Sequence, residues 1–114
     1  MISLKTFRQL ALAYAEVTEQ PHFEKASFRV KKKIFVTLDE AKHIACVKFS
    51  ATDQSVYCLI DPTIIWPVPN KWGQQGWTFI HLKKIKKDLL QEVLTTAYCE
   101  VAPKALAGLY KKST

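Results

Sequence analysis

The chain is 114 residues long and 48% hydrophobic, and its 17 Lys and Arg against 10 Asp and Glu give a formal net charge of +7. That hydrophobic content is too high for a disordered chain, and no apolar run approaches the ~20 residues that span a bilayer. The expected molecule is one domain over residues 1–114, monomeric, cytoplasmic and without a membrane partner: Met1-Ile2-Ser3-Leu4-Lys5 lacks a signal-peptide core, and the dispersed Cys46, Cys58 and Cys99 suit reduced thiols.

Ser3 to Glu16 reads as a helix, because Leu4, Phe7, Ala11 and Tyr14 recur at spacings of three and four and Ser3 suits an N-cap. Gln20-Pro21 ends the segment, since the residue before proline is pushed out of helical angles. From Ser27 to Phe49 the period becomes two. Phe28 and Val30 share one parity, with Arg29 and Lys31 on the other, and Ile34, Val36 and Leu38 continue the apolar face. On that parity Phe35 and Thr37 point outward. Lys31-Lys32-Lys33 is a predicted hairpin turn and Asp39-Glu40-Ala41-Lys42 a second. A third strand from His43 to Phe49 sends Ala45, Val47 and Phe49 inward and Lys48 outward, so the pattern is an antiparallel meander.

Ser50-Ala51-Thr52-Asp53 carries a hydroxyl cap with a carboxylate three residues on, which predicts a helix reaching Ile60 and stopping before Pro62. Trp77 to Leu82 alternates as a strand. Both parities, Trp77/Phe79/His81 and Thr78/Ile80/Leu82, are usable for a core. Asp88 to Val101 is a helix with a stripe of Leu90, Val93, Leu94, Ala97 and Val101, terminated by Pro103, and a short turn follows over Lys104 to Tyr110. Helices at both ends of a small antiparallel sheet predict an α+β, two-layer domain with the N- and C-terminal helices on one face.

Pro67-Val68-Pro69-Asn70-Lys71-Trp72-Gly73-Gln74-Gln75-Gly76-Trp77-Thr78 is the most distinctive stretch. Its glycines allow backbone angles a Cβ forbids, so it is a shaped turn. Trp72 and Trp77 either pack that turn onto the core or leave an indole beside Lys71 as a stacking platform or protein anchor.

Signals for bond-breaking chemistry are weak. His22-Phe23-Glu24 has the H-x-E spacing of zinc deaminases, but no Pro-Cys-x-x-Cys accompanies it, and a histidine beside a turn explains it better. Nucleophile elbows, phosphate-binding glycine loops and His-Glu-x-x-His do not occur, and the carboxylates do not cluster. The expectation is a protein without enzyme activity, metal or cofactor.

Charge gives the strongest functional pointer. Lys25, Arg29, Lys31, Lys32 and Lys33 fall in a stretch free of carboxylates, and Lys83, Lys84, Lys86 and Lys87 form a second cluster at an approach to a helix. Arg8 and Arg29 are the only arginines. Lysine attracts phosphate diffusely, whereas bidentate base recognition belongs mainly to arginine, so low sequence specificity is expected. The candidate contacts are Arg29, Lys31, Lys32, Lys33, Lys48 and Lys71 for phosphates, with Phe35, Trp72 and Trp77 for base stacking. The same lysines would otherwise serve as a solvated edge that blocks sheet-to-sheet pairing.

Pro21-His22-Phe23, Lys25-Ala26-Ser27-Phe28-Arg29-Val30, Lys33-Ile34-Phe35 and Val68-Pro69-Asn70-Lys71-Trp72-Gly73 with Gly76-Trp77 resemble the YjbR/MmcQ family of small bacterial proteins. The likeness runs from the first helix through Val101-Ala102-Pro103-Lys104. It implies a CyaY-like α+β fold and, through a double-wing architecture, DNA binding. Frataxin-like proteins share the broad fold and bind iron through acidic surfaces, a property this basic chain gives no reason to carry over. The leading expectation is a DNA-binding protein of low specificity, and the alternative is a protein–protein interaction or regulatory adaptor anchored by the Trp-Gly turn.

Overall fold

The computed structural model describes residues 1–110; residues 111–114, the end of the predicted domain, lie outside the described residues. In chain order the elements are α1 (Leu4–Leu12), β1 (Val17–His22), β2 (Lys25–Val30), β3 (Lys33–Asp39), β4 (Ile44–Lys48), α2 (Ala51–Cys58), β5 (Ile65–Pro67), α3 (Lys71–Gln74), β6 (Trp77–His81), α4 (Lys87–Val101) and α5 (Lys104–Ala107). The strands form one sheet in the order β1-β2-β3-β4-β6-β5, antiparallel at every pairing. The fold is α+β, with the terminal helices on one face of the sheet as expected. Among the described residues no helix is long and apolar enough to cross a membrane.

Local chemistry accounts for the helix starts. Ser3 Oγ accepts from Thr6 N at the head of α1, and Ser50 Oγ accepts from Asp53 N at the head of α2. Helix α1 ends at Leu12, short of the predicted Glu16, and Glu16 itself takes a left-handed φ of 61°. The chain then forms β1, a strand the sequence reading missed. Val17 and Thr18 are β-branched, and Pro21 is tolerated because β1 is an edge whose outer amides need no partner.

The core lies between the sheet and its helices. Phe28, Val36, Leu38, Ala45, Val47 and Ile80 of the sheet meet Phe7 of α1 and Leu90, Val93, Leu94 and Ala97 of α4, all fully buried. Register fixes the parity of β6. Thr78 pairs with Val47 and Ile80 with Ala45, so Trp77, Phe79 and His81 turn to the opposite face.

One prediction fails at Phe35. The register slips between Phe28 and Arg29, so that Phe28 pairs with Val36 but Arg29 pairs with Ile34. Phe35 is the extra residue of a β-bulge, and it is fully buried rather than outward, while Ile34 takes the outward position. Phe35 joins an aromatic cluster. Its ring meets Tyr14 at 6.2 Å and Tyr98 at 5.6 Å, and Tyr110 packs 5.1 Å from Tyr14. Hydrogen bonds from Tyr98 Oη to the Ala15 carbonyl and from Ala15 N to Tyr110 Oη, both 2.8 Å, tie that cluster to the turn after α1.

The short strand β5 leads into the Trp-Gly segment, and the segment itself holds the helical turn α3, neither of which the sequence predicts. Asn70 Oδ1 caps α3 by accepting from Trp72 N. Gln54 of α2 donates to the carbonyls of Gly73 and Trp77 and to Thr78 Oγ1. The glycines are obligatory. A Cβ on Gly73 would sit 1.9 Å from the Val68 carbonyl oxygen, and one on Gly76 would sit 1.9 Å from that of Phe49, at a φ of +106°. Gly76→Ala is therefore expected to cost on the order of 3 kcal/mol and lower Tm by roughly 10 °C. An unchanged melting curve would contradict this account of the turn.

Burial pushes the Cys46 thiol up to about 11 and raises the Tyr14, Tyr57 and Tyr98 phenols above their ordinary value. Each is neutral when protonated, and each ionises at lower pH in the unfolded chain. Folding therefore retains protons, and stability falls with rising pH. Their contribution is complete below about pH 8.5 and is lost progressively above it. Tm measured from pH 8 to 11 should be level at first and then decline; a flat profile would show that these groups ionise freely in the fold.

Candidate nucleic-acid interface

Helices cover one face of the sheet, and the other is open. Alternation sends Lys25, Ser27 and Arg29 of β2, Ile34 and Thr37 of β3, Cys46 and Lys48 of β4, Trp66 of β5, and Trp77 and Phe79 of β6 to that open face. The arrangement is concave. His22, Lys25, Ile34, Thr37, Cys46, Val68, Trp72, Trp77 and Phe79 line a groove of about 260 Å³. It continues at one end into a hollow of about 130 Å³ beside Trp66, Asp39 and Lys42, and at the other into one beside Lys33, Lys48 and Glu100.

The rings form much of the wall. Trp72, on α3, is 52% exposed, and Trp66 lies 5.7 Å from Phe79, centroid to centroid. His22, at the end of β1, meets Phe23 edge-on at 4.8 Å in the hairpin turn. The backbone that carries Trp66, Trp77 and Phe79 is held by ladder hydrogen bonds of the sheet, and that of Trp72 by the capped α3. Beside Trp66, His81 Nδ1 is buried with no hydrogen-bond partner among the described residues.

The predicted cations divide into three groups. Arg29 lies along the open face, donating from Nε to Ser27 Oγ at 3.0 Å and from Nη2 to the Pro21 carbonyl at 3.3 Å. Lys48 reaches the same face, but its ammonium donates to the carbonyls of Gln75 at 2.5 Å and Phe49 at 3.1 Å. The bond to Gln75 holds the Trp-Gly turn against the end of β4, the bond to Phe49 is local to that strand end, and one of the three donors remains for a ligand. Lys33 and Lys71 are exposed, Lys33 where the groove widens beside Trp77 and Lys71 next to Trp72.

Lys31 and Lys32 occupy the β2–β3 turn with φ of 49° and 71°, the doubly left-handed geometry of a tight hairpin. Lys31 bonds Glu16 at 2.6 Å, which offsets its charge. Arg8 is committed to Glu19 and Glu40 beside α1. Among the described residues, by contrast, no carboxylate pairs with Lys25, Arg29, Lys33, Lys48 or Lys71. The second cluster is exposed, Lys83, Lys84 and Lys86 between β6 and α4 and Lys87 at the head of α4.

Sequence reasoning omitted Lys25, Ile34, Cys46, Trp66 and Phe79 from the site. Trp66 fell in a segment with no assigned element, and Phe79 belonged to a strand of open parity. Cys46 lies in the floor of the groove, and burial holds its thiol neutral against the opposing influence of Lys25. Such a thiol is a small apolar surface rather than a nucleophile. Among the described residues no three of His, Cys, Asp and Glu converge as a metal site would require.

Comparison with known proteins agrees with the architecture. The crystal structure of protein DR2400 of Deinococcus radiodurans, which carries the domain DUF419, superposes with a TM-score of 0.78 at 20% identity, over 96% of this chain and 88% of that one. At that identity the likeness is one of fold. No curated protein is significantly similar in sequence. The sequence model of the YjbR family matches residues 12–100, most of the chain and all of the open face, and the chain therefore belongs to the YjbR family.

Proposed function

We propose that this protein is a non-enzymatic DNA-binding module of low sequence specificity, which holds its ligand across the open face of the sheet. One observation carries the reading: Lys25 lines an aromatic groove, Lys33 lines the hollow that continues it, Lys71 adjoins the groove residue Trp72 and Arg29 lies on the same face, and among the described residues no carboxylate forms an ion pair with any of them. Cations without carboxylate partners beside ring faces suit a ligand that offers phosphates and bases together. Arg29 is the only arginine on this face, and its guanidinium is tied to Ser27 and Pro21, which disfavours bidentate reading of bases. The neutral Cys46 thiol in the groove floor supports a binding surface in preference to a reactive one.

A second reading rests on Trp72, whose half-exposed indole would also serve as an anchor for a protein partner. Salt separates the two. If about four phosphates are neutralised, log affinity falls against log salt with a slope near −3. Lys25→Glu and Lys71→Glu should each weaken DNA binding several-fold for every sequence tested and flatten that slope by about one. Lys31→Ala should change little, because Lys31 already faces Glu16. Fluorescence anisotropy of labelled DNA from low to near-physiological salt makes the measurement. Indifference to Lys25 and Lys71 would remove this face as the site.

A further inference from the structure

The proposed DNA site has a geometry that selects a strand form. Resting on the reading above, we infer that the bound species is single-stranded DNA, with unpaired bases stacked in the groove on Trp72, Trp77 and Phe79 and the flanking phosphates held by Lys25, Lys33 and Lys71.

Size is the first argument. The sheet has six strands, which at ~4.8 Å spacing make a face about 24 Å across, whereas the major groove of B-DNA is about 12 Å wide. A two-stranded ribbon enters that groove, but the whole face does not. Access to ring faces is the second. In a duplex each base is covered above and below by its neighbours, so a recessed platform meets only the sugar-phosphate backbone. Trp77 and Phe79 sit on β6, a strand paired on both sides, and cannot advance as a wedge between stacked bases. A single strand can bring its bases to them.

Placement of the tryptophans is the third argument. The chain has three, Trp66, Trp72 and Trp77, and all three line the groove or its extension. Stacking accepts any base, because every base has a π face. Beside the rings, the groove wall is made of the apolar Ile34, Val68 and Cys46, with His22, Lys25 and Thr37 as its hydrogen-bonding side chains apart from the indoles. The cations at the rim complement the charge of a strand lying along the groove.

The test uses oligothymidylate of about 12 nucleotides and the duplex it forms with oligoadenylate, titrated at matched salt. Anisotropy gives affinity, and intrinsic tryptophan emission reports the open face, because every tryptophan lies there. The single strand is expected to bind more tightly and to quench the emission. Trp72→Ala, at an exposed position that the core does not need, should weaken single-strand binding roughly tenfold, a larger loss than for the duplex. Duplex binding of equal or greater strength, with emission unquenched, would overturn the inference and leave the DNA-binding reading standing. Failure of both forms to bind would overturn the reading itself, and the inference with it.

Discussion

An antiparallel strand alternates its side chains between two faces, and one inserted residue in β3 resets that alternation partway along. Without the bulge, Phe35 would lie on the open face and Ile34 in the core. With it, Phe35 enters the Tyr14-Tyr98-Tyr110 cluster and draws the end of α1, α4 and the segment after α5 together. Ile34 then forms part of the groove wall beside Trp77. The packing that closes the helical side and the surface presented on the open side thus follow from one register slip.

Beyond the bulge, the open face depends on a second tether. Lys48 binds the Gln75 carbonyl and Gln54 binds the carbonyls of Gly73 and Trp77, and Gly73 and Gly76 let that backbone approach Val68 and Phe49 closely. The outcome is a fixed position for Trp72 over the sheet. Hydrogen-bonded carbonyls and a glycine that cannot accept a Cβ leave the turn little freedom. A preformed aromatic site loses less conformational entropy on binding than one that must be assembled. Lys48 accordingly serves the architecture before it serves a ligand.

Much of this was legible in the sequence. Ser3 and Ser50 announced their helices, the alternation from Phe28 to Phe49 announced the meander, and the stripe from Leu90 to Ala97 announced α4. The failures have physical causes. Val17–His22 is an edge strand with a proline and little apolar content, so neither period nor composition marks it. The bulge at Phe35 is invisible to a rule of strict alternation, because its reward lies in rings from distant segments. The parity of β6 needed its partner β4, since Ile80 and Phe79 are equally apolar in isolation. The site suffered most. Its cations follow from counting charge, but which of them have carboxylate partners, as Lys31 does and, among the described residues, Lys71 does not, depends on tertiary placement.

The central claim is that the open face, and not the helical one, is where DNA is held. Two-dimensional ¹H–¹⁵N NMR during titration with a short single strand addresses it directly. The account predicts shifts in the indole N–H signals of Trp66, Trp72 and Trp77 and in the amides of Lys25, Thr37 and Phe79, while the amides of α1 and the body of α4 stay in place. Shifts concentrated on α1 and α4, or on the Lys83–Lys87 approach, with the indole signals unmoved, would contradict it.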